Sequence, residues 1–285
     1  MQVVASVREL RAHLKTARQS GQAIGLVPTM GALHAGHLSL VTASQARCDL
    51  TAVTIFVNPT QFGPHEDFHR YPRPLEKDLD LCRAAGVDVV FTPAVDEVYP
   101  PGSRTFVEVS GLSHILEGVP RPEHFRGVAT VVTKLLMMAL PDVAFFGQKD
   151  FQQQLIIKRL TWDLNLPVEI ETCPILRDPD GLAMSSRNVY LSPEQRVTAL
   201  ALSRALHQVT AAWARGERDP AHLTDALQNR LKQEPSLQLD YAVVADPLTL
   251  EVLTRPQPEA VALVAGRVGT TRLIDNVLLT DTTTR

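Results

Sequence analysis

Two histidines three residues apart, His34 and His37, close the run Pro28-Thr29-Met30-Gly31-Ala32-Leu33-His34-Ala35-Gly36-His37. Glycines at 31 and 36 let backbone approach a ligand closely. A helix starting here would offer free N–H groups and a partial positive charge, which suit a phosphate. Histidines at i and i+3 share one face of such a helix. Neutral imidazoles can donate to phosphate oxygens, and protonated ones can offset the charge that builds up as pyrophosphate departs. The bland alternative is a pair of capping histidines in a tight turn. Without a third ligand nearby, H-x-x-H is a weak zinc signature.

Three further clusters carry polar chemistry. Asn58-Pro59-Thr60-Gln61-Phe62 brings two amides able to grip a hydroxy acid or a carboxylate, although an Asx-turn would also explain Asn58. Gly147-Gln148-Lys149-Asp150-Phe151-Gln152-Gln153 puts a lysine after a glycine turn, a point charge for phosphate, with Gln153 able to face the same cleft. A solvated loop lysine is the plainer reading. Met184-Ser185-Ser186-Arg187-Asn188 offers two hydroxyls and a guanidinium, either a mobile phosphate clamp or a capped loop.

The elements that must position these groups follow from periodicity. Helical patterns cover 6–19, 36–46, 75–85, 128–140 and 151–165; apolar strand runs cover 24–27, 51–57, 87–91, 143–146 and 168–172. Strands that alternate with helices and are apolar throughout imply βαβ units and a parallel sheet. In such sheets ligands bind at the carboxyl ends of strands, and three of the four clusters lie there. The polar run Arg177-Asp178-Pro179-Asp180-Gly181 reads as the joint between a domain of residues 1–176 and a smaller one of residues 177–285. Closure at such a joint would let the second domain act as a lid over a bound nucleotide. Ser192-Pro193-Glu194-Gln195 combines a cap, a proline at the first helical position and a capping box, so a helix runs from there to about Arg215. A second helix opens at Asp219-Pro220, and apolar runs over 241–245, 260–268 and 273–279 read as a small sheet.

Composition excludes several classes. The 285 residues carry 28 Lys+Arg and 31 Asp+Glu, a net charge of −3, with 45% hydrophobic residues. That is a globular balance, not that of a disordered chain. Without a basic–aromatic stripe, this charge also argues against an RNA-binding module. Charges at Arg8, Glu9 and Arg11 interrupt any signal-peptide core. The apolar stretch 128–140 carries Lys134 and falls short of the ~20 residues of a membrane helix. Cys48, Cys82 and Cys173 form no C-x-x-C pair, which fits a reducing cytoplasm.

The ordered set P-T-M-G-A-L-H-A-G-H (28–37), F-V-N-P-T-Q-F (56–62), H-F-R-G-V (124–128), F-G-Q-K-D-F-Q-Q (146–153) and D-G-L-A-M-S-S-R-N (180–188) resembles the pantoate–β-alanine ligase family. That family lies within the nucleotidylyl-transferring enzymes with HIGH- and KMSKS-like elements. The resemblance implies an α/β fold, a Rossmann-like parallel-sheet N-terminal domain with a smaller α+β C-terminal domain. It implies an ATP-dependent condensation of pantoate with β-alanine through pantoyl adenylate, releasing AMP and pyrophosphate. A simple nucleotidylyltransferase making a stable adenylated product is the alternative. By the same resemblance, Met30, Gly31, Ala32, Leu33, His34, Ala35, Gly36 and His37 lie along ATP, with His37 as proton donor and His34 assisting. Gly147, Gln148, Lys149 and Asp150 contact ATP, Lys149 with a catalytic role beside the two histidines, as do Met184, Ser185, Ser186 and Arg187. Leu176 meets adenine through its backbone. Gln61 and Gln153 hold pantoate, Gln61 also being reached by β-alanine. Mg²⁺ accompanies ATP through phosphates and water, with no protein ligand assigned. A cytoplasmic homodimer, with neither nucleic acid nor membrane as partner, completes the expectation. His65, Glu123 and Gln154 depart from the family's usual residues at those positions.

Overall fold

The computed structural model describes residues 1–64 and 66–281; the departure at His65 lies outside the described residues. The backbone divides into two compact units. The first comprises Met1–Gln148 and Gln152–Pro174, and the second comprises Lys149–Phe151 and Ile175 onward.

In the first unit six strands form one sheet: β1 (Gln2–Val4), β2 (Ile24–Thr29), β3 (Leu50–Ile55), β4 (Val89–Phe91), β5 (Val143–Gly147) and β6 (Glu169–Cys173). Their order is β1-β4-β3-β2-β5-β6 and every pairing is parallel. The connecting helices are α1 (Val7–Gln19), α2 (Ala35–Arg47), α3 (Leu75–Ala84), the single turn α4 (Val95–Val98), α5 (His124–Ala139) and α6 (Phe151–Asp163). Alternate strand residues feed two cores. Leu26, Ala52 and Val89 pack with Leu10 and Leu14 of α1 and Val128, Val132 and Leu136 of α5. Val27, Val53 and Val90 pack instead with Leu40 and Val41 of α2 and Leu79 and Cys82 of α3. Burial on both faces explains why the strands read as continuous apolar runs. Chain order runs outward from β2 through β3 to β4, then returns to β5 on the other side. The switch point therefore lies between β2 and β5, which pair through Gly25↔Val143 and Leu26↔Ala144.

The second unit holds α7 (Pro193–Ala214), α8 (Pro220–Lys232) and an antiparallel sheet of β7 (Leu237–Ala245), β8 (Ala260–Val268) and β9 (Thr271–Leu279). One core joins them, from Leu202 and Leu206 to Leu227, Val244 and Val264. The capping box forms as predicted: Gln195 N donates to Ser192 Oγ at 3.2 Å and Ser192 N to Gln195 Oε1 at 3.0 Å. The polar run at 177–181 is latched rather than loose. Arg177 makes a bidentate pair with buried Asp275 at 2.6 and 2.9 Å. Arg196 of α7 reaches Asp178 at 2.6 Å and Asp180 at 2.7 Å.

Cys48, Cys82 and Cys173 are buried and form no disulfide. Burial raises all three thiols, Cys82 and Cys173 to about 11. At pH 8 a thiol with that pKa is on the order of 0.1% thiolate. An aromatic disulfide reagent is therefore expected to titrate no fast thiol in the native protein and three after denaturation. A fast native thiol would contradict this placement.

Candidate active site

The carboxyl end of β2 leads directly into the histidine turn. His34, extended at φ −143° and ψ 176°, is the N-cap of α2. Its Nδ1 accepts from Gly36 N at 3.1 Å, while His37 Nδ1 accepts from His34 N at 3.4 Å. The two rings lie 4.1 Å apart, tilted by 41°. An Nδ1 that accepts a backbone N–H does not carry the ring proton, so each neutral imidazole bears it on Nε2. Capping and chemistry are thus compatible: the cap fixes the tautomer and leaves Nε2–H as the donor.

Other donors of this turn are used internally. Gly31 N donates to Thr29 Oγ1 at 3.1 Å, Ala32 N to Asp78 Oδ2 at 2.8 Å and Leu33 N to Asp78 Oδ1 at 2.7 Å. His37 N donates to His34 O at 2.8 Å. The expectation that a free helix start would cradle phosphate is therefore not met by these N–H groups.

After β3 the chain enters a tight turn over Pro59–Gln61. Here Asn58 departs from the expectation of a direct grip on substrate. It is 1% exposed and engaged at both ends of its amide. Nδ2 donates to Gln61 Oε1 at 3.1 Å and to Gly127 O at 3.2 Å. Oδ1 accepts from Thr60 Oγ1 at 3.0 Å and from the Tyr99 hydroxyl at 2.8 Å. Burial raises the Tyr99 phenol, which keeps it a neutral donor. Because Gln61 Oε1 is taken, its amide orientation is set, and among the described residues Nε2 reaches only the weak acceptor Met30 Sδ at 2.9 Å. The first turn of α5 supports the same loop from outside. His124 Nδ1 contacts Gln61 O at 2.9 Å, and Arg121 pairs with Glu66 at 2.5 Å.

Gly147 ends β5 and Gln148 follows it at the switch point. Gln152 is buried and holds the loop before α5, donating to Leu112 O at 2.7 Å and Ile115 O at 2.8 Å. Gln154, one of the departures, is buried and accepts from Thr172 Oγ1 at 2.9 Å. Gln153, between these two buried amides, is half-buried. Glu123, another departure, precedes α5 and pairs with Arg126 at 3.0 Å. In the second unit, Lys149 O accepts from Asn276 Nδ2 at 2.9 Å, and its ammonium lies 3.8 Å from Asp150. Leu176 O accepts from Met184 N at 3.0 Å, which brings two of the expected nucleotide positions together. Ser185 Oγ caps the short turn Ser186–Tyr190, accepting from Arg187 N at 3.3 Å.

Sequence reasoning missed Asp78 and Tyr99. Asp78 had a readable signal, since it shares a helical face with Leu79 and Cys82 in α3, and all three are buried. Tyr99 had none, because only folding brings it to Asn58.

An open parallel sheet with a capped His-x-x-His turn beside its switch point defines an α/β protein of the kind that binds its ligand at the carboxyl ends of the strands. The family model described as pantoate-beta-alanine ligase matches residues 2–278. Pantothenate synthetase of Moorella thermoacetica is 51% identical over 98% of this chain and 99% of that protein. The crystal structure of pantothenate synthetase from Thermus thermophilus superposes with a TM-score of 0.94 at 45% identity, covering 99% of this chain and 100% of that one. The pantoate-beta-alanine ligase of Francisella tularensis, complexed with beta-gamma ATP and beta-alanine, matches with a TM-score of 0.79 at 33% identity, covering 98% of this chain and 97% of that one. The chain belongs to the pantoate–β-alanine ligase family.

Proposed function

We infer that the chain joins pantoate to β-alanine at the expense of ATP, through a pantoyl adenylate, with release of AMP and pyrophosphate. The observation that carries this reading is the family match across residues 2–278 on a chain whose histidine turn and Gln61 amide are both preset at adjacent strand ends. The complex of the Francisella relative with beta-gamma ATP and beta-alanine supports the same ligands here.

The chemistry follows from the substrates. A carboxylate is a poor electrophile, so its oxygen first attacks the α-phosphorus and the Pα–O bond to pyrophosphate breaks. Negative charge grows on the departing pyrophosphate. His34 and His37, held as Nε2–H donors, stabilise that charge through hydrogen bonds. This refines the proton-donor expectation for His37, because a neutral imidazole whose Nδ1 accepts from backbone acts by donating a hydrogen bond. Gln61 gives its Nε2 donor to pantoate in exchange for the thioether, and Gln153 holds the same substrate; Asn58 orients Gln61 without touching pantoate. In the second step the β-alanine amine attacks the acyl carbon, AMP leaves, and the amine loses a proton as the amide forms.

Lys149 and Arg187 supply positive charge to the phosphates, with Met184, Ser185, Ser186, Gly147, Gln148 and Asp150 as further ATP contacts and the Leu176 backbone at adenine. Mg²⁺ enters with the nucleotide. No protein ligand is assigned to it, because Mg²⁺ holds its waters tightly and binds a nucleotide chiefly through phosphate oxygens. The first unit, which carries the histidine turn and the Gln61 loop, is the catalytic domain of this reading. A cytoplasmic homodimer is the assembly we assign on the family resemblance.

The test is AMP release with each substrate omitted in turn. AMP and pyrophosphate should form in equal amounts with pantothenate, and turnover should stop without β-alanine. ADP as product would overturn the adenylate route, and sustained turnover without an amine would indicate a nucleotidylyltransferase instead.

A further inference from the structure

We propose that Asp78 is a positioning residue of this reaction: its buried carboxylate holds the turn over residues 30–33 in the conformation that presents His34 and His37. The proposal rests on the function inferred above and concerns a residue that touches neither substrate nor the reacting atoms.

The turn is not one the chain would adopt unaided. Gly31 and Ala32 are consecutive left-handed residues, at φ +81° and +50°. Glycine adopts that region freely, but alanine does so against a steric penalty, because its Cβ crowds the following carbonyl. Such a conformation persists only where its surroundings over-determine it. Asp78 does so with both oxygens, Oδ2 accepting from Ala32 N at 2.8 Å and Oδ1 from Leu33 N at 2.7 Å. The fit is close. A Cβ on Gly31 would come within 2.9 Å of Asp78 Oδ2 and 3.1 Å of Ile55 Cγ2.

Two successive N–H groups converging on one anion form the concavity that elsewhere binds phosphate. Here the protein fills it with its own carboxylate, 1% exposed on α3. The consequence is a division of labour. The Ala32 and Leu33 N–H groups are spent on holding the turn rigid, and substrate phosphate is assigned to the imidazoles that follow it. The next residues after the latch are His34, whose Nδ1 caps Gly36, and His37, whose Nδ1 accepts from His34 N. Releasing Ala32 and Leu33 would therefore loosen the cap geometry that fixes both rings and their tautomers.

Asparagine is the informative substitute. It keeps the shape but has one acceptor oxygen, so its NH₂ faces a backbone N–H and one of the two bonds becomes a donor–donor clash. Asp78→Asn is expected to lower kcat for AMP release by roughly 30-fold or more, with KM for β-alanine within about threefold of the parent. Adding Ala32→Gly, which removes the left-handed penalty, should recover part of that loss. In ¹⁵N-histidine-labelled protein the parent should show Nε2–H tautomers at His34 and His37, and Asp78→Asn should shift those signals toward a mixture. If Asp78→Asn does not fold, Ala32→Val, which strains the same turn with Asp78 intact, should give the same loss of kcat and the same shift. A folded Asp78→Asn with kcat within twofold of the parent overturns the proposal. So does a loss of kcat with unmoved histidine signals and no recovery on adding Ala32→Gly. If the parent itself releases no AMP, the inferred function fails, while the ¹⁵N comparison still decides whether Asp78 holds the turn.

Discussion

His37→Ala should lower kcat for AMP release by roughly 100- to 1,000-fold, the range seen when one preorganised donor to a developing oxyanion is removed. The ground for so large an effect is that the ring is fixed before substrate arrives. Its Nδ1 is engaged by His34 N at 3.4 Å and its face packs on His34 at 4.1 Å, so little reorganisation is needed when charge appears on pyrophosphate. Because the contact strengthens only as that charge develops, KM for ATP should change far less than kcat. Alanine also removes one half of a reciprocal cap, which alone would destabilise α2 by about 1 kcal/mol. His37→Gln separates the two effects. Glutamine is a favoured residue at this helical position and can accept from the His34 N–H, but it does not hold a donor at the place of the imidazole Nε2. Thermal unfolding of His37→Gln should stay close to the parent while kcat remains low. If His37→Ala turns over at a near-parental rate, the role given to His37 is wrong. If His37→Gln restores the rate along with the stability, the residue matters as a cap and not as a donor.

This pairing of cap and donor bears on how much the sequence could say. Its histidines admitted two readings, cap or phosphate contact; the fold shows the cap, and the proposed role uses that cap to hold the donor in place. The sheet was legible because its central strands β2 to β5 are buried on both faces, so each reads as an apolar run. The helix at Ser192 was legible because a capping box is local chemistry. What could not be read depends on tertiary pairing. β1 is three residues long and exists as a strand only because Gln2 to Val4 pair with Val89 to Phe91. α5 begins at His124, not at the first apolar residue of its run, because its first turn is buried against the Pro59–Gln61 turn rather than against the sheet. Asn58 was read as a ligand for substrate because an amide after a strand has free valences in a sequence. In the fold Tyr99 and Thr60 take its oxygen, and Gln61 and Gly127 its nitrogen.

That last network yields the other large effect, at a residue with no functional group. Gly127→Ala should raise KM for pantoate at least about tenfold and lower kcat as well, since misplacing a positioning group by about 1 Å can cost on the order of 100-fold. Helix propensity alone predicts the opposite sign, because alanine in place of glycine inside a helix gains about 1 kcal/mol. The local geometry decides against it. A Cβ at 127 would lie 2.3 Å from Thr60 O, 2.5 Å from Thr60 C and 2.7 Å from Gln61 Cα. All three are backbone atoms, so no side chain can swing away, and α5 must separate from the turn that carries Gln61. Overpacking of this kind costs about 1–3 kcal/mol, enough to cancel the propensity gain and lower Tm by a few degrees. The catalytic loss should exceed what that instability explains. Separation breaks the Asn58–Gly127 O bond and the His124–Gln61 O contact together, and both hold the amide whose donor is assigned to pantoate. Asn58→Asp tests the same linkage without steric strain: a carboxylate cannot donate to Gln61 Oε1, so KM for pantoate should rise while KM for ATP stays near the parental value. Parental pantoate kinetics in folded Gly127→Ala and Asn58→Asp would mean that Gln61 does not hold this substrate. A rise confined to pantoate would tie the H-F-R-G-V segment to its recognition, through its contacts with the loop that carries Gln61.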